Sequence, residues 1–284
     1  MTTPFRSDGE MDLGLLKPQV DWLISEGAHG LAAGGSTGEG HALEADEYRD
    51  LIAATCAAVS GRVPVVAGVI VDSTRAAIQR GKAVRDMKVA ALQVTPVHYL
   101  FRPDDQSMVE HFRAVVGETG LPVIIYNVVP WTYLSPALLI RIMREVPGVV
   151  GVKQSAGDLK LFADLMIDAD PKSRIYSAVD ALLYSSFALG AHGAIAAILT
   201  AAPRAVRALW DAVQRGDHVR GRVLHEKLLP LWNAAVGDNL PACTRYAQSL
   251  QGIDAGLPRA PMPAASAEQR ARIEPALKAL LAAL

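Results

Sequence analysis

The sequence predicts an α/β protein built as a (β/α)8 TIM barrel with a C-terminal helical extension. Short apolar runs rich in β-branched residues alternate with longer helical patterns, and these runs are continuous, as strands buried on both faces are. An open doubly wound sheet would favour a Gly-x-Gly-x-x-Gly turn near its first strand, and the chain has none. Only helical patterns follow residue 217. We therefore assign residues 1–217 to the barrel and residues 218–284 to the extension.

Seven strands are predicted, and an eighth should precede them. The eighth would end near the opening MTTPF, where almost no apolar run precedes Thr3, so this strand is short or the true start lies upstream of Met1. Eight β/α units would close the barrel. The seven predicted strands are residues 30–35, 63–69, 90–95, 121–127, 148–154, 173–178 and 192–197.

The helices are predicted from apolar residues spaced three and four apart. Ser73, Asp105 and Ser135 are N-cap residue types, and Pro136 suits a first helical position. The barrel helices are predicted at residues 44–61, 73–87, 105–120, 135–148 and 201–217, and those of the extension at 220–236, 240–252 and 266–284.

The composition limits the possible function. Of the 284 residues 51% are hydrophobic, and the formal net charge is −1, so a large core is expected and a nucleic-acid or membrane-surface role is disfavoured. Cys56 and Cys243 form neither a disulfide framework nor a metal motif. The opening residues lack the features of a secretory signal, and no apolar run reaches the roughly 20 residues of a membrane helix. We expect a cytoplasmic protein.

Polar residues at the predicted strand ends point to chemistry. In such a barrel the active site lies at the C-terminal ends of the strands. Lys153 ends the run VVGVKQ and Tyr126 ends another strand, while Ser36 and Thr37 lie in the turn GGSTGEG. Desolvation at this mouth would favour a neutral lysine amine that attacks a carbonyl, with a tyrosine to move protons. The hydroxyls and amide groups of the turn would suit a carboxylate.

Each of these residues also has an ordinary interpretation. Lys153 alone could simply leave a strand, Tyr126 could be a core phenol, and GGSTGEG could be a tight turn. Their convergence on one barrel face favours a catalytic site. Seven dispersed histidines without an H-E-x-x-H motif make a metal site unexpected, and no G-x-S-x-G elbow indicates a serine hydrolase.

These motifs, in this order, resemble the dihydrodipicolinate synthase / N-acetylneuraminate lyase family of pyruvate-dependent class I aldolases. The matching segments are GGSTGEG (34–40), YNV (126–128), GVKQSAGDL (151–159) and GAHGAIA (190–196). The resemblance implies a lysine imine with a 2-oxo acid, typically pyruvate, which reacts with an aldehyde and needs no cofactor. It also implies a homotetramer of two tight dimers.

The resemblance assigns roles to individual residues. Lys153 would form the imine, and Tyr126 would move protons together with Thr37 and a tyrosine from a neighbouring subunit. The remaining implied site residues would hold the carboxylate or line the site, and they are Gly35, Ser36, Thr37, Ala178 and Ile195.

Two departures from the family pattern concern the acceptor and the subunit contact. Trp131 stands where the synthase has an arginine for the aldehyde's carboxylate. An indole cannot make the bidentate contact of a guanidinium, so a less polar acceptor is expected. In the loop TPVHYLFRP, counting places His98 at the position of the intersubunit tyrosine, and we favour the adjacent Tyr99 for that role.

Two alternatives remain open from the sequence. The same imine could serve dehydration or deamination of a sugar acid or a hydroxyproline-derived acid. The chain could also be a 2-oxo-acid-binding protein that has lost turnover. Free pyruvate as a product would distinguish the lyase from the dehydratase.

Overall fold

The sheet of this protein contains six parallel strands that pair in chain order. The computed structural model describes residues 1–284. The sheet curls and is covered by helices, which confirms the α/β class and the parallel arrangement. The strands are β1 (Leu31–Ala33), β2 (Val65–Val69), β3 (Ala91–Val94), β4 (Val123–Asn127), β5 (Val149–Gln154) and β6 (Arg174–Ser177).

Only six of the eight predicted strands form, so the predicted number of strands is wrong. Residues 192–197 make one parallel bridge to β6, between Ala194 and Ser177, instead of a strand. Residues 1–5 form no strand either. Pro4 has no N–H to donate, the Thr3 carbonyl accepts from Arg245 at 2.6 Å, and the Thr2 hydroxyl donates to Gln248 at 3.1 Å. These two contacts tie Thr2 and Thr3 to the C-terminal helix at Leu240–Ser249.

The two unformed strands leave a seam in the curled sheet. The Met1 amino group donates to the Ala32 carbonyl at 2.9 Å, while the amides of Ala194 and Ala196 donate no backbone hydrogen bond. A cavity of about 350 Å3 lies along this seam. Its wall includes the strand residues Ala32, Val66, Ile124 and Tyr176, together with Ala194 and Ala196 of the segment that forms no strand.

The helices match the predicted positions and add several that were not predicted. Ser73 and Ser135 accept from the amides of Ala76 and Leu138 and cap their helices as expected. For α4 the cap is Asp104 rather than Asp105, which is already helical. The helices around the sheet are α1 (Leu16–Ser25), α2 (Ala45–Val59), α3 (Thr74–Val84), α4 (Asp105–Thr119), α5 (Pro136–Glu145), α6 (Leu159–Asp168), α7 (Leu183–Ala188), α8 (Ile198–Ala201) and α9 (Pro203–Gln214).

Three further helices form the C-terminal part, and none of the helices is long and apolar enough to cross a membrane. They are α10 (His218–Ala235), α11 (Leu240–Ser249) and α12 (Ala267–Leu281). α10 packs against α9 and α12, while α11 packs against α8 and α12. The boundary at residue 217 remains a proposal, and it falls in the turn between α9 and α10.

A β-bulge determines which face of β5 carries its lysine. Val123 pairs with Val149, but the next residue of β4, Ile124, pairs with Gly151, so Val150 is the extra residue. Val150 is accordingly 38% exposed although it lies in an apolar run. Because successive strand residues point to opposite faces, a one-residue shift moves every later side chain to the other face. The bulge thereby aligns Lys153 with Tyr126.

Candidate active site

Lys153 and Tyr126 lie side by side at the C-terminal ends of β5 and β4. The Lys153 Nζ is 3.7 Å from the centroid of the Tyr126 ring, where an ammonium is attracted to the aromatic face. Both side chains are buried, and Lys153 is only 7% exposed. Lys153 takes part in none of the ion pairs of the protein. The amine thus faces a phenol without a carboxylate that would hold it as a salt bridge.

The turn that follows β1 contacts Tyr126 of this pair. The Tyr126 hydroxyl donates to the Ser36 Oγ at 3.0 Å. The resemblance implies Thr37 in this position, but the Thr37 side chain makes no hydrogen bond, so the turn presents Ser36 to the phenol. The amides of Ser36 and Thr37 donate to no backbone carbonyl. They are therefore available to an anionic group beside the lysine.

Close packing of glycines shapes this turn. A Cβ on Gly40 would lie 1.8 Å from the Gly34 carbonyl oxygen, so only glycine allows the two ends of the turn to approach. Gly35 is buried, and a Cβ there would lie 3.5 Å from the amide nitrogen of Gln93. Between them Glu39 has a φ of 54°, in the left-handed region that non-glycine residues seldom adopt.

The loop after β3 carries His98 and Tyr99, the two candidates for the subunit contact. His98 is half-buried, and its two ring nitrogens lie 3.0 Å from the Pro96 carbonyl and 3.2 Å from an Asp72 carboxylate oxygen. Tyr99 is 66% exposed. Both ring nitrogens of His98 therefore have partners within this chain, whereas the Tyr99 phenol makes no hydrogen bond.

Trp131 lies on the rim of the site, on the loop after β4. Its indole N–H donates to the carbonyls of His98 at 2.7 Å and Tyr99 at 3.0 Å. The ring is 68% exposed. Trp131 thus joins the β3 and β4 loops, and its only polar hydrogen is already bound.

Ala178 and Ile195 lie at the C-terminal end of β6, the strand that pairs with the lysine-bearing β5. The Ala178 amide donates to the Gln154 carbonyl at 2.8 Å, and the Ile195 amide donates to the Ser177 carbonyl at 2.9 Å. Both side chains are half-buried. These bonds place Ala178 next to the end of β5 and Ile195 on the opposite edge of β6.

Asp180 is a buried carboxyl near the lysine that sequence reasoning missed. Its Oδ1 accepts from the Ile198 amide at 2.7 Å, which anchors the segment that contains Ile195. Burial raises the pKa of Asp180 to about 6, and the nearby Lys153 charge partly opposes that rise. The strand-end rule that singled out Lys153 would have found Asp180 if it had been applied three residues past β6.

Tyr133 is a second residue that the sequence did not single out. Its hydroxyl donates to the Ser155 carbonyl at 3.4 Å, two residues beyond Lys153. Burial, and then the neighbouring Tyr126, raise the pKa of this phenol. The signal in the sequence was weak because Tyr133 lies six residues beyond its strand.

The structure brings together no cluster of three or more histidine, cysteine or carboxylate side chains that could hold a metal.

Comparison with known proteins gives a consistent result. Residues 1–280 match the model of the dihydrodipicolinate synthetase family. A 4-hydroxy-tetrahydrodipicolinate synthase of Ralstonia nicotianae is 34% identical over 281 residues, which cover 98% of this chain and 95% of that protein. The corresponding enzyme of Bacillus subtilis is 31% identical over 273 residues, with 95% and 93% of the two chains covered.

Solved structures show the same similarity. The crystal structure of a putative dihydrodipicolinate synthetase from Pseudomonas aeruginosa has a TM-score of 0.92 at 31% identity, and the match covers 98% of this chain and 97% of that one. A dihydrodipicolinate synthase from Bacillus anthracis has a TM-score of 0.93 at 26% identity, with 98% and 95% covered.

Proposed function

The chain belongs to the dihydrodipicolinate synthetase family and is a pyruvate-dependent lyase of the class I aldolase type, and from this premise we propose that Lys153 forms its Schiff base. The observation that carries this proposal is the position of the Lys153 amine, which is buried over the Tyr126 ring at 3.7 Å and makes no direct ion pair. The amine attacks the C2 carbonyl of pyruvate, and loss of water from the carbinolamine gives the iminium.

Tyr126 is proposed as the group that moves protons during this step. Its hydroxyl lies 3.0 Å from the Ser36 Oγ, and Ser36 is half-buried. A proton can therefore pass from the phenol through the serine towards solvent and back. The departing hydroxyl of the carbinolamine takes a proton and leaves as water, and loss of a proton from C3 then gives the nucleophilic enamine.

The turn at Gly35, Ser36 and Thr37 is proposed to hold the pyruvyl carboxylate. The two unbonded amides of Ser36 and Thr37 supply donors for both carboxylate oxygens. Charge-assisted hydrogen bonds of this kind are about twice as strong as neutral ones. Ala178 and Ile195 would line the apolar side of the bound acid.

A second subunit is proposed to complete the site. Tyr99, Leu100 and Phe101 are consecutive, large and 66%, 72% and 80% exposed, which is unusual unless another surface covers them. Tyr99, whose side chain is free, would reach the neighbouring site, and His98 would not. A homotetramer of two dimers and a cytoplasmic location stay predictions from the sequence.

The aldehyde that reacts with the enamine is proposed to be less polar than a carboxylate-bearing one. Trp131 is an indole whose N–H is already bound to two carbonyls, so it offers no charge to an acidic acceptor. The named relatives are 4-hydroxy-tetrahydrodipicolinate synthases, and the acceptor of this chain is expected to differ from theirs. No feature of the structure favours the dehydratase or the non-catalytic alternative.

Borohydride trapping tests the proposed imine. Incubation with pyruvate and sodium borohydride should add one reduced pyruvyl group to the chain, located on Lys153 by peptide mass spectrometry. Lys153→Ala should abolish the adduct. Lys160→Ala is the matched control, because Lys160 is an exposed lysine paired with Asp164, and it should be labelled normally. Absence of any adduct in the unaltered protein would refute the role of Lys153.

A further inference from the structure

Tyr133 occupies a place between the two strands that carry the proposed catalytic pair. It follows a short helical turn at Pro130–Thr132 and reaches the end of β5, where its hydroxyl meets the Ser155 carbonyl. It is half-buried, and it lies close enough to Tyr126 for the negative charge of one phenolate to disfavour the other. The phenol therefore lies beside the proposed catalytic pair.

The chain on either side of Tyr133 holds it firmly in this place. Asn127, the last residue of β4, uses its side-chain amide to bind both backbone groups of Leu134, at 2.9 and 3.1 Å. Leu134 is itself buried, as is Thr132 on the other side of the tyrosine. Since Asn127 adjoins Tyr126, the direction of the Tyr133 side chain is tied to the strand that carries the proton-moving phenol.

Near Trp131, where the aldehyde is proposed to bind, the Tyr133 hydroxyl is the side-chain donor with the longest hydrogen bond. Its bond to Ser155 is 3.4 Å long, whereas hydroxyl hydrogen bonds are normally about 2.7–2.8 Å. In contrast, the Trp131 N–H makes bonds of 2.7 and 3.0 Å, and both nitrogens of His98 have partners. An incoming oxygen can displace the Ser155 carbonyl at little cost.

We propose that Tyr133 is a catalytic residue of the acceptor half-reaction, whose hydroxyl binds the carbonyl oxygen of the aldehyde. This rests on the proposed imine at Lys153. The enamine carbon forms the new bond to the aldehyde carbon, and the π electron pair of the carbonyl moves onto its oxygen. Tyr133 gives its proton to that oxygen, and the phenolate regains a proton from water at the half-exposed mouth. Cleavage runs the same steps backwards.

The aromatic character of this end also defines the acceptor class. Trp131 and Tyr133 offer two ring faces and one neutral donor, a combination suited to an aldehyde with an apolar or aromatic body. The carboxylate of Asp72, which lies 3.2 Å from His98, adds negative charge at the rim. A neutral aldehyde such as benzaldehyde is therefore preferred over succinic semialdehyde, which carries a carboxylate.

The test compares Tyr133→Phe with the unaltered protein in two assays. The first is borohydride trapping with pyruvate, which reports the imine alone. The second is the rate of pyruvate consumption with benzaldehyde, butanal and succinic semialdehyde. Tyr133→Phe should trap pyruvate normally and lose about 100-fold in kcat/KM for the neutral aldehydes, the usual effect of losing one donor to a developing oxyanion.

Tyr184→Phe is the matched control, since it removes a phenol that faces His218 on the surface, and it should change neither assay. An unchanged kcat/KM in Tyr133→Phe overturns the inference, as does an unaltered protein that forms the imine but consumes no aldehyde. Failure of trapping in the unaltered protein instead overturns the proposed function. The two failures are thus distinguishable.

Discussion

The guanidinium of Arg245, in α11, donates to the carboxylate of Glu39, which ends the turn proposed to bind pyruvate. Both side chains are almost completely buried, at 4% and 1% exposure. The same guanidinium donates to the Thr3 carbonyl at 2.6 Å, and the Arg259 amide donates to the other Glu39 oxygen at 2.9 Å. α11 and the segment that follows it therefore support the turn, which explains how Glu39 keeps a left-handed backbone conformation.

Replacement of Arg245 by methionine should loosen this turn. Removal of one partner from a buried ion pair costs about 3–5 kcal/mol of the free energy of unfolding, because the other charge stays buried. We expect that loss in urea unfolding, together with a raised KM for pyruvate. Arg245→Lys should restore part of the affinity. Arg204→Met, which breaks the pair of an exposed arginine with Glu26, should cost less than about 1 kcal/mol. A normal pyruvate KM in Arg245→Met would contradict the positioning role.

Trp131→Arg should change the acceptor preference. A guanidinium at the rim supplies the bidentate partner that a carboxylate needs and the indole lacks. We expect the ratio of kcat/KM for succinic semialdehyde to that for butanal to rise by at least about tenfold, the effect of 1.4 kcal/mol. Trp131→Leu is the control, since it removes the indole without adding a cation. If Trp131→Arg and Trp131→Leu raise this kcat/KM ratio equally, the guanidinium does not cause the change in acceptor preference.

Asp180 should make stability depend on pH in a defined window. Its folded pKa of about 6 lies above the usual aspartate pKa of 3.8, so between these values the folded state binds more protons than the unfolded state. The carboxyl therefore lowers the free energy of unfolding as the pH rises from about 4 to about 6, by up to about 3 kcal/mol.

Asp180→Asn removes this titration while its side-chain oxygen can still accept from the Ile198 amide. Urea unfolding at several pH values should show that the free energy of unfolding of the variant, relative to that of the unaltered protein, increases between pH 4 and 6. Above pH 6 this difference should stay constant. His111, whose buried imidazole has a pKa lowered to about 4, changes stability in the opposite direction. It is common to both proteins and cancels in the comparison. A difference that does not vary with pH would exclude the titration of Asp180.

The exposed loop at Tyr99, Leu100 and Phe101 should govern self-association. Phe101→Asp places a charge in the proposed contact, so sedimentation should show smaller species than the unaltered protein forms. Val219→Asp is the control, because Val219 is equally apolar and 72% exposed but lies at the start of α10. If both variants sediment like the unaltered protein, the loop is not a subunit contact.

The seam in the sheet should be visible in hydrogen exchange. The amides of Ala194 and Ala196 have no backbone partner, whereas the Ile195 amide between them is bonded to Ser177 at 2.9 Å. We expect Ala194 and Ala196 to exchange rapidly and Val152, inside β5, slowly. NMR of the amide protons resolves the alternation. Equal protection of all three residues from 194 to 196 would mean that this edge is paired in solution.

Much of the site was predictable because its chemistry lies at strand ends, where residue type and sequence position suffice. An apolar run that ends in Lys153, a second that ends in Tyr126 and a hydroxyl-rich turn after a third must meet if parallel strands curl into a barrel. The family, the lyase class and the α/β fold followed from the same residues. Helix positions were predictable from periodicity and caps, to within a few residues at each end.

Tertiary structure alone decided the features that depend on pairing over long distances. The bulge at Val150 sets the face of Lys153, and no local pattern predicts it, because the apolar run Val149–Val152 fits either register. The choice of Ser36 over Thr37, the anchoring of Glu39 by Arg245 and the direction of Tyr133 all depend on contacts between segments far apart in the chain. Sequence by itself determined which chemical groups this protein brings to the C-terminal ends of its parallel strands. Packing decided which of them touch, because hydrogen bonds and burial are properties of neighbours in space.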